Sequence, residues 1–266
     1  AEVETMGFTP NATVTNAIDE QATVLTIGNG QDLDVVKLDT FAYLDNEIVA
    51  VKAINLVAST VTVDRGVLDT VPAPHLAAAR IWFADALEAL ITEQYLSGES
   101  LQVKMLPATG LGRLAESAAP ADSYTFAGRM IRPYPPGNVK VNNVMWPTVI
   151  LGQIALTWAH RDRMQQTVYL VTQPEGNIGP EAGTTYTLRV YNENNGLQKT
   201  VTGLTTTAWN YLATDEATDS GLGRINGKLK IEIEAVRAGY TSWQKQTRSV
   251  DRAGYGLNYG KYYGGI

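Results

Sequence analysis

Cysteine is absent from the 266 residues, and with it go a disulfide framework, a thiol nucleophile and any metal site built on thiolates. Such a composition suits a reducing compartment, and equally an assembly held together by contacts between subunits. Histidine occurs only twice, at His75 and His160, so imidazole chemistry has two addresses. Charged residues make up only 18% of the chain, and their balance is acidic, with a formal net charge of -6 and a pI near 5.0. That gives no general electrostatic reason to recognise nucleic acid or an anionic membrane. No apolar run reaches membrane-spanning length, so no transmembrane segment is expected. Ala1-Glu2-Val3-Glu4-Thr5 has neither the basic nor the apolar region of a secretion signal. Internal repeats are missing too.

What is present favours strands. The 44% hydrophobic content includes 13 Tyr and 5 Trp, with many Val and Thr, punctuated by 24 Gly. β-branched and aromatic residues pack well on a pleated surface, so an all-β chain is expected. In the first part, strands are read at Ala22–Ile27, Glu47–Ile54, Ser59–Val63, Ala79–Phe83, Leu101–Met105 and Ser123–Phe126. Gly28-Asn29-Gly30 reads as the turn closing the first of these. In the fifth, Leu101, Val103 and Met105 share one face and Gln102 and Lys104 the other, the pattern of a half-exposed strand. Ala84 to Ile91 is the one stretch of helical composition. Short strands with Gly-rich turns predict a barrel-like domain over residues 1–130.

Residues 131–142 form a proline-rich connector. Pro133, Pro135, Pro136 and Gly137 fall within five residues, and proline fixes φ, lacks an amide hydrogen and pushes its predecessor toward extended geometry. Arg132 to Asn138 is therefore expected to be a stiff, extended link that holds two modules in one orientation. Arg129 and Arg132 flank it and are expected to pin the modules through charged hydrogen bonds.

Beyond the connector, residues 143–252 carry a second set of alternating strands. Leu156 and Trp158 lie on one face. Tyr186, Leu188 and Val190 follow on another strand, and Leu229, Ile231 and Ile233 face inward on the clearest alternation in the chain. Six or seven strands in about a hundred residues point to a sandwich with Trp158 inside. Residues 253–266 form a Gly/Tyr-rich extension. Tyr255, Tyr259, Tyr262 and Tyr263 bring rigid amphipathic surface on a flexible backbone, as interface anchors do.

Candidate chemistry is thin. Asp69, His75 and Arg80 can be drawn as an acid–base cluster, but turn capping by Asp69 and Thr70 explains the same residues. His160 and Asp162 lack a third ligand, and no strand–Ser–helix elbow exists for a catalytic triad. Glu232 and Glu234 at two-residue spacing suggest a glycosidase pair, yet alternation makes them a solvated face. Asp215, Glu216 and Asp219 lack the spacing of a calcium loop. No catalytic residue, cofactor or metal is assigned, and the chain is read as noncatalytic.

Several segments carry a family resemblance. Arg65 through His75, Ala79-Arg80-Ile81-Trp82-Phe83, Gly98-Glu99-Ser100 with Lys104-Met105-Leu106-Pro107, and Gly128 through Val139 resemble tail-tip and baseplate hub proteins of tailed bacteriophages. Leu156-Thr157-Trp158, Tyr186 through Tyr191, Ala235-Val236-Arg237 and Ser242-Trp243 look like the fibronectin type III domain such proteins often carry. Arg252 through Gly260 looks like the close of phage tail proteins. The resemblance implies a barrel-like hub domain followed by a fibronectin type III-like sandwich, located in the virion at the tail tip or baseplate. It also implies a homo-oligomer, most commonly a trimer, in contact with other phage tail proteins. Leu204 is followed six residues later by Asn210 rather than tyrosine, which departs from the fibronectin corner pattern. The competing expectation is a carbohydrate- or host-surface-binding module, with the sandwich as spacer and Trp82 meeting a host-surface glycan.

Overall fold

The computed structural model describes residues 9–84, 93–166 and 169–253. The helical composition at 84–91 and the four tail tyrosines Tyr255, Tyr259, Tyr262 and Tyr263 fall outside these ranges, apart from Ala84.

Six strands close the first barrel: β1 (Asn11–Val14), β2 (Val24–Gln31), β3 (Phe41–Leu44), β4 (Glu47–Asn55), β5 (Thr60–Asp64) and β6 (Arg80–Phe83). Their order is β1-β2-β5-β4-β3-β6, and β1 pairs back with β6. Alternation puts Val14, Leu25, Ile27, Leu44, Val49, Val51, Val61, Val63, Ile81 and Phe83 inside. Gly28-Asn29-Gly30 is no turn, but lies within β2. The register against β1 shifts between Asn11 and Thr13, and Asn29 takes a left-handed φ of 52°, so these residues form a bulge that bends the strand around the barrel. Strand β4 is buried on both faces over Glu47–Val51. Its second face, Ile48 and Ala50, packs with Val67, Leu68 and Leu170 outside the barrel.

The barrel ends at Phe83 rather than near residue 130. Once β1 meets β6 no edge remains to accept further strands. Strands β7 (Ser100–Lys104) and β8 (Ala121–Thr125) form a separate two-stranded ribbon. A single turn of 3-10 helix, Arg129–Ile131, leads into the prolines.

The connector is shorter than its sequence suggests, because Gly137–Val141 is already strand β9. Gly137, Val139 and Val141 face inward there, and only the stretch to Pro136 serves as link. Strands β10 (Ile154–Ala159), β11 (Thr185–Tyr191), β12 (Leu197–Leu204), β13 (Ala208–Tyr211), β14 (Lys228–Arg237) and β15 (Gln246–Arg252) complete a sandwich. One sheet has the order β9-β10-β13. The other runs β15-β14-β11-β12, with the short strand Val149–Ile150 beside β15. Three strands facing four, in this order, is a fibronectin type III-like arrangement. Trp158, only 5% exposed, sits between the sheets, edge-on to Tyr186 with ring centroids 5.5 Å apart. Leu156, Leu188, Leu229, Ile231 and Ile233 surround it in the same core.

The corner between β13 and β14 is built without a tyrosine at the start of β14, where Lys228-Leu229 stand. A short helix, α1 (Ala213–Asp219), fills the connection. It aims the fully buried Glu216 at Arg252 and at the backbone amide of Asn226. Glu232 and Glu234 are not a solvated face. Lys245 and Tyr191 hold Glu232, Arg189 holds Glu234, and both carboxylates are largely covered. A carboxylate on a sheet surface becomes buried when long basic neighbours lay their stems across it.

Candidate functional site: the seam between barrel and sandwich

The segment Arg65–His75, leaving β5, is held from beneath by one carboxylate. Glu47 opens β4 and is 1% exposed. Its Oε1 accepts from Arg65 Nε and Gly66 N, both at 2.8 Å, and its Oε2 from Arg65 Nη2 at 2.8 Å and Ala73 N at 3.0 Å. Arg65 spends its remaining donors on the carbonyls of Asp19, Ala22 and Ala73. All five guanidinium hydrogens are thereby satisfied inside the protein, which is what makes this buried pair tolerable.

His75 closes the clasp. Its Nδ1 lies 2.8 Å from Asp45 Oδ2 and its Nε2 2.9 Å from Glu47 Oε2, so both ring nitrogens face carboxylates. Burial works against the charged imidazole, but the bonds to Glu47 and Asp45 outweigh it and hold the pKa above the ordinary histidine value. Burial likewise pushes Glu47 up, while Arg65 and His75 pull it below the usual carboxylate range. The structure thus separates the residues that sequence drew together. His75 pairs with Asp45 and Glu47, Asp69 with Arg129, and Arg80 with Asn11.

The far side of this loop meets the sandwich. Gln173 Nε2 donates to the carbonyls of Gly66 at 2.8 Å and Thr70 at 3.1 Å. Its Oε1 accepts from Gln246 Nε2 at 2.5 Å, and that same amide nitrogen reaches the Pro136 carbonyl at 3.0 Å. Gln244 accepts from Val71 N at 2.8 Å and donates to the Asn46 carbonyl at 2.6 Å. Arg161, 2% exposed, donates through Nη2 to the Leu68 and Val171 carbonyls, and burial lowers its pKa to about 10. Arg248 on β15 stacks 3.7 Å over Trp146 and donates to the carbonyls of Met145, Thr247 and Val139. Burial lowers its pKa to about 9.

The connector arginines lie in the same seam. Arg129 grips Asp69 of the barrel loop with Nε at 2.5 Å and Nη2 at 2.7 Å, and its guanidinium stands 5.3 Å over Trp243 of the sandwich. The hydrogen bonds to Asp69 raise its pKa. Arg132 donates to the Thr241 carbonyl at 3.1 Å and stacks over Trp243 and Tyr240 at 5.6 and 5.9 Å. Pro135 and Pro136 are buried between the modules and Pro133 is buried beside them. Trp158 lies away from the seam, in the sandwich core. His160 bonds Tyr186 OH at 2.7 Å, and Asp162 caps Met164 N at 2.8 Å.

Sequence reasoning missed Glu47, Arg161, Gln173 and Gln246. One signal was available: on β15 the inward positions are Gln246, Arg248, Val250 and Arg252, so alternation itself places polar groups at a buried interface. Gln173 and Arg161 sit outside strands and leave no periodic trace.

Comparison with known proteins is sparse. No family model matches, and no curated protein matches. Solved structures with detectable similarity include a Fn3-like protein from Clostridium thermocellum, 16% identical over 46% of this chain and 95% of that one, with a TM-score of 0.26. The FN1-FN3 domains of chicken CNTN1 align at 8% identity over 93% of this chain and 67% of theirs, with a TM-score of 0.25. A BSP domain of a biofilm associated protein aligns at 13% identity over 92% of this chain and 29% of its own, TM-score 0.23. The fibronectin-like assignment rests on the strand order of the sandwich.

Proposed function

We propose that the chain is a noncatalytic structural component of a tailed-phage tail tip or baseplate, holding neighbouring subunits in fixed geometry and contributing to host attachment. The observation that carries this reading is the seam. Gln173 bonds the Gly66 and Thr70 carbonyls of the barrel loop, Gln244 takes the Val71 amide, Arg161 reaches the Leu68 carbonyl and Arg129 joins Asp69 to Trp243, and a two-module part with one orientation is what a scaffold needs. The clustered ionisable groups support it as well, since Glu47, Arg65, His75, Asp69 and Arg129 are consumed in internal pairs. The segments that resemble hub proteins supply the virion context. Immunogold electron microscopy of tailed particles, with antibody raised against the purified chain, tests it. Label at the tail tip or baseplate is expected, and label elsewhere or on no particle overturns the reading.

A carbohydrate-binding role is the second reading, and one observation favours it. Trp82 and Tyr43 are cross-strand neighbours on the outside of the barrel, 38% and 39% exposed, with Arg80 stacked 5.3 Å over the indole. Glycan-array binding that disappears in Trp82→Ala would move the assignment to this surface.

A further inference from the structure

The buried arginines do not all have their charges answered. Arg65 is held by Glu47, Arg129 by Asp69 and Arg163 by Glu181. Arg252 leaves Nε and Nη1 without partners, but Glu216 takes its Nη2 and balances its charge. Arg248 has no carboxylate in contact, yet carbonyls and Gln246 occupy every one of its nitrogens, and Glu20 acts on its charge. Arg161 is the exception. It follows β10 and lies buried between the Leu68 carbonyl of the barrel loop and the Val171 carbonyl on the sandwich side. Only Nη2 is engaged, shared between those carbonyls and Gln166 Oε1 at 3.2 Å. Its Nε and Nη1 have no partner, and neither has the buried Gln166 Nε2. Among the described residues no carboxylate pairs with this guanidinium, and the charges acting on it are those of Tyr134 and Glu175. Burial keeps the Tyr134 phenol protonated, and Glu175 Oε2 already accepts from the Thr172 amide. A cation taken out of water with nothing to answer it costs far more than one missing hydrogen bond.

We propose that Arg161 holds a small monovalent anion of the halide class within the seam, in contact with Nη1 and with Gln166 Nε2. The class follows from charge, room and hydrogen bonding. The excess is a single positive charge, which one monovalent anion cancels and a dianion would invert. Room is short: the side chain is 2% exposed, and a Cβ on Gly137 would already stand 3.1 Å from Arg161 Cδ, so a single-atom ion suits the place better than a carboxylate or phosphate. The unpaired groups are all donors. Gln166 turns its oxygen to Nη2 and leaves its nitrogen free, and a halide accepts from both side chains without needing acceptors of its own, as a water would. The ion would sit where barrel loop, connector and sandwich meet, so halide becomes a fastening for the seam. This rests on the seam alone and is independent of the virion reading.

Calorimetric melting of the full chain tests it, with chloride replacing gluconate stepwise at constant ionic strength. The melting temperature is expected to climb by about 3–5 °C for each tenfold rise in chloride above the dissociation constant. In Arg161→Met the step is expected to vanish, and in Gln166→Leu to move to higher chloride. Crystals of the wild-type chain grown in bromide supply a readout that needs no variant: an anomalous peak in contact with Arg161 Nη1 is expected. Equal melts in chloride and gluconate overturn the proposal, as does a chloride step that survives Arg161→Met. So does a bromide-free position at Arg161, whether an ordered water or a protein group fills it.

Discussion

Glu47 shows how much one buried carboxylate can organise when every lone pair is used. It receives two bonds from Arg65, one from each of two backbone amides and one from His75, and so joins a strand start to both ends of the Arg65–His75 loop. The pH dependence follows from the two shifts. His75 is raised above 6.5, so its contribution is complete below that pH and is lost as pH rises through the higher folded value. Glu47 is lowered below 4.5, so its contribution is complete above that pH and is lost as pH falls through the lower value. Calorimetric melting temperature should therefore hold a plateau between these limits. His75→Gln should remove the decline on its alkaline side.

Trp158 is a simpler case. Alternation in Ile154–Ala159 announced its inward direction, and the core around it is complete, so Trp158→Ala should cost about 3–5 kcal/mol by denaturant titration. Individual polar residues were harder to read. Nothing local distinguishes Gln173 from any loop glutamine, because its partners Gly66 and Thr70 lie about a hundred residues away in sequence.

At the scale of elements, strands with large inward side chains were legible and strands with small ones were not. Strand β3 points Ala42 and Leu44 into the barrel and leaves Tyr43 outside, which inverts the usual weight of the pattern. Strand β1 offers only Ala12 and Val14 as apolar inward residues. In β9 a left-handed Asn138, φ 48°, comes two residues after Pro136 and disguises the strand as linker. The Arg65–His75 loop is the element on which the seam depends, and Gly66 is its tightest point. Its φ is +57°, and a Cβ there would stand 2.4 Å from Pro72 Cδ and 2.8 Å from the Pro72 backbone nitrogen. Gly66→Ala should destabilise by more than about 1 kcal/mol, with loss of the Gln173 contact visible in hydrogen exchange at that loop.

For the whole molecule the seam couples two cores. Barrel loop, connector and sandwich share one network of hydrogen bonds, so the barrel and sandwich should melt in a single calorimetric transition. Gln173→Leu leaves the Gly66 and Thr70 carbonyls without a partner and removes one of the two bonds made by Gln246 Nε2, at about 1–3 kcal/mol per orphaned carbonyl, and should split that transition in two. Arg129→Ala combined with Arg132→Ala should leave each module folded but enlarge the radius of gyration in small-angle X-ray scattering. An unchanged scattering curve would show that the prolines and the bonds of Gln173, Gln244 and Arg161 hold the angle without the two arginines. Composition announced the presence of two β modules and the prolines marked the place between them. The distribution of strands was less visible, because the barrel closes after six strands and leaves residues 100–125 outside it.

The early start of the sandwich has a practical side. Strand β9 contributes Val139 and Val141 to the second core and is reached directly from Pro136. A truncation that begins at residue 143, just past the prolines, would amputate a wall of the hydrophobic interior and leave Ile154–Ala159 as a raw border ready to recruit any passing chain. The same fragment begun a dozen residues earlier would keep its lining.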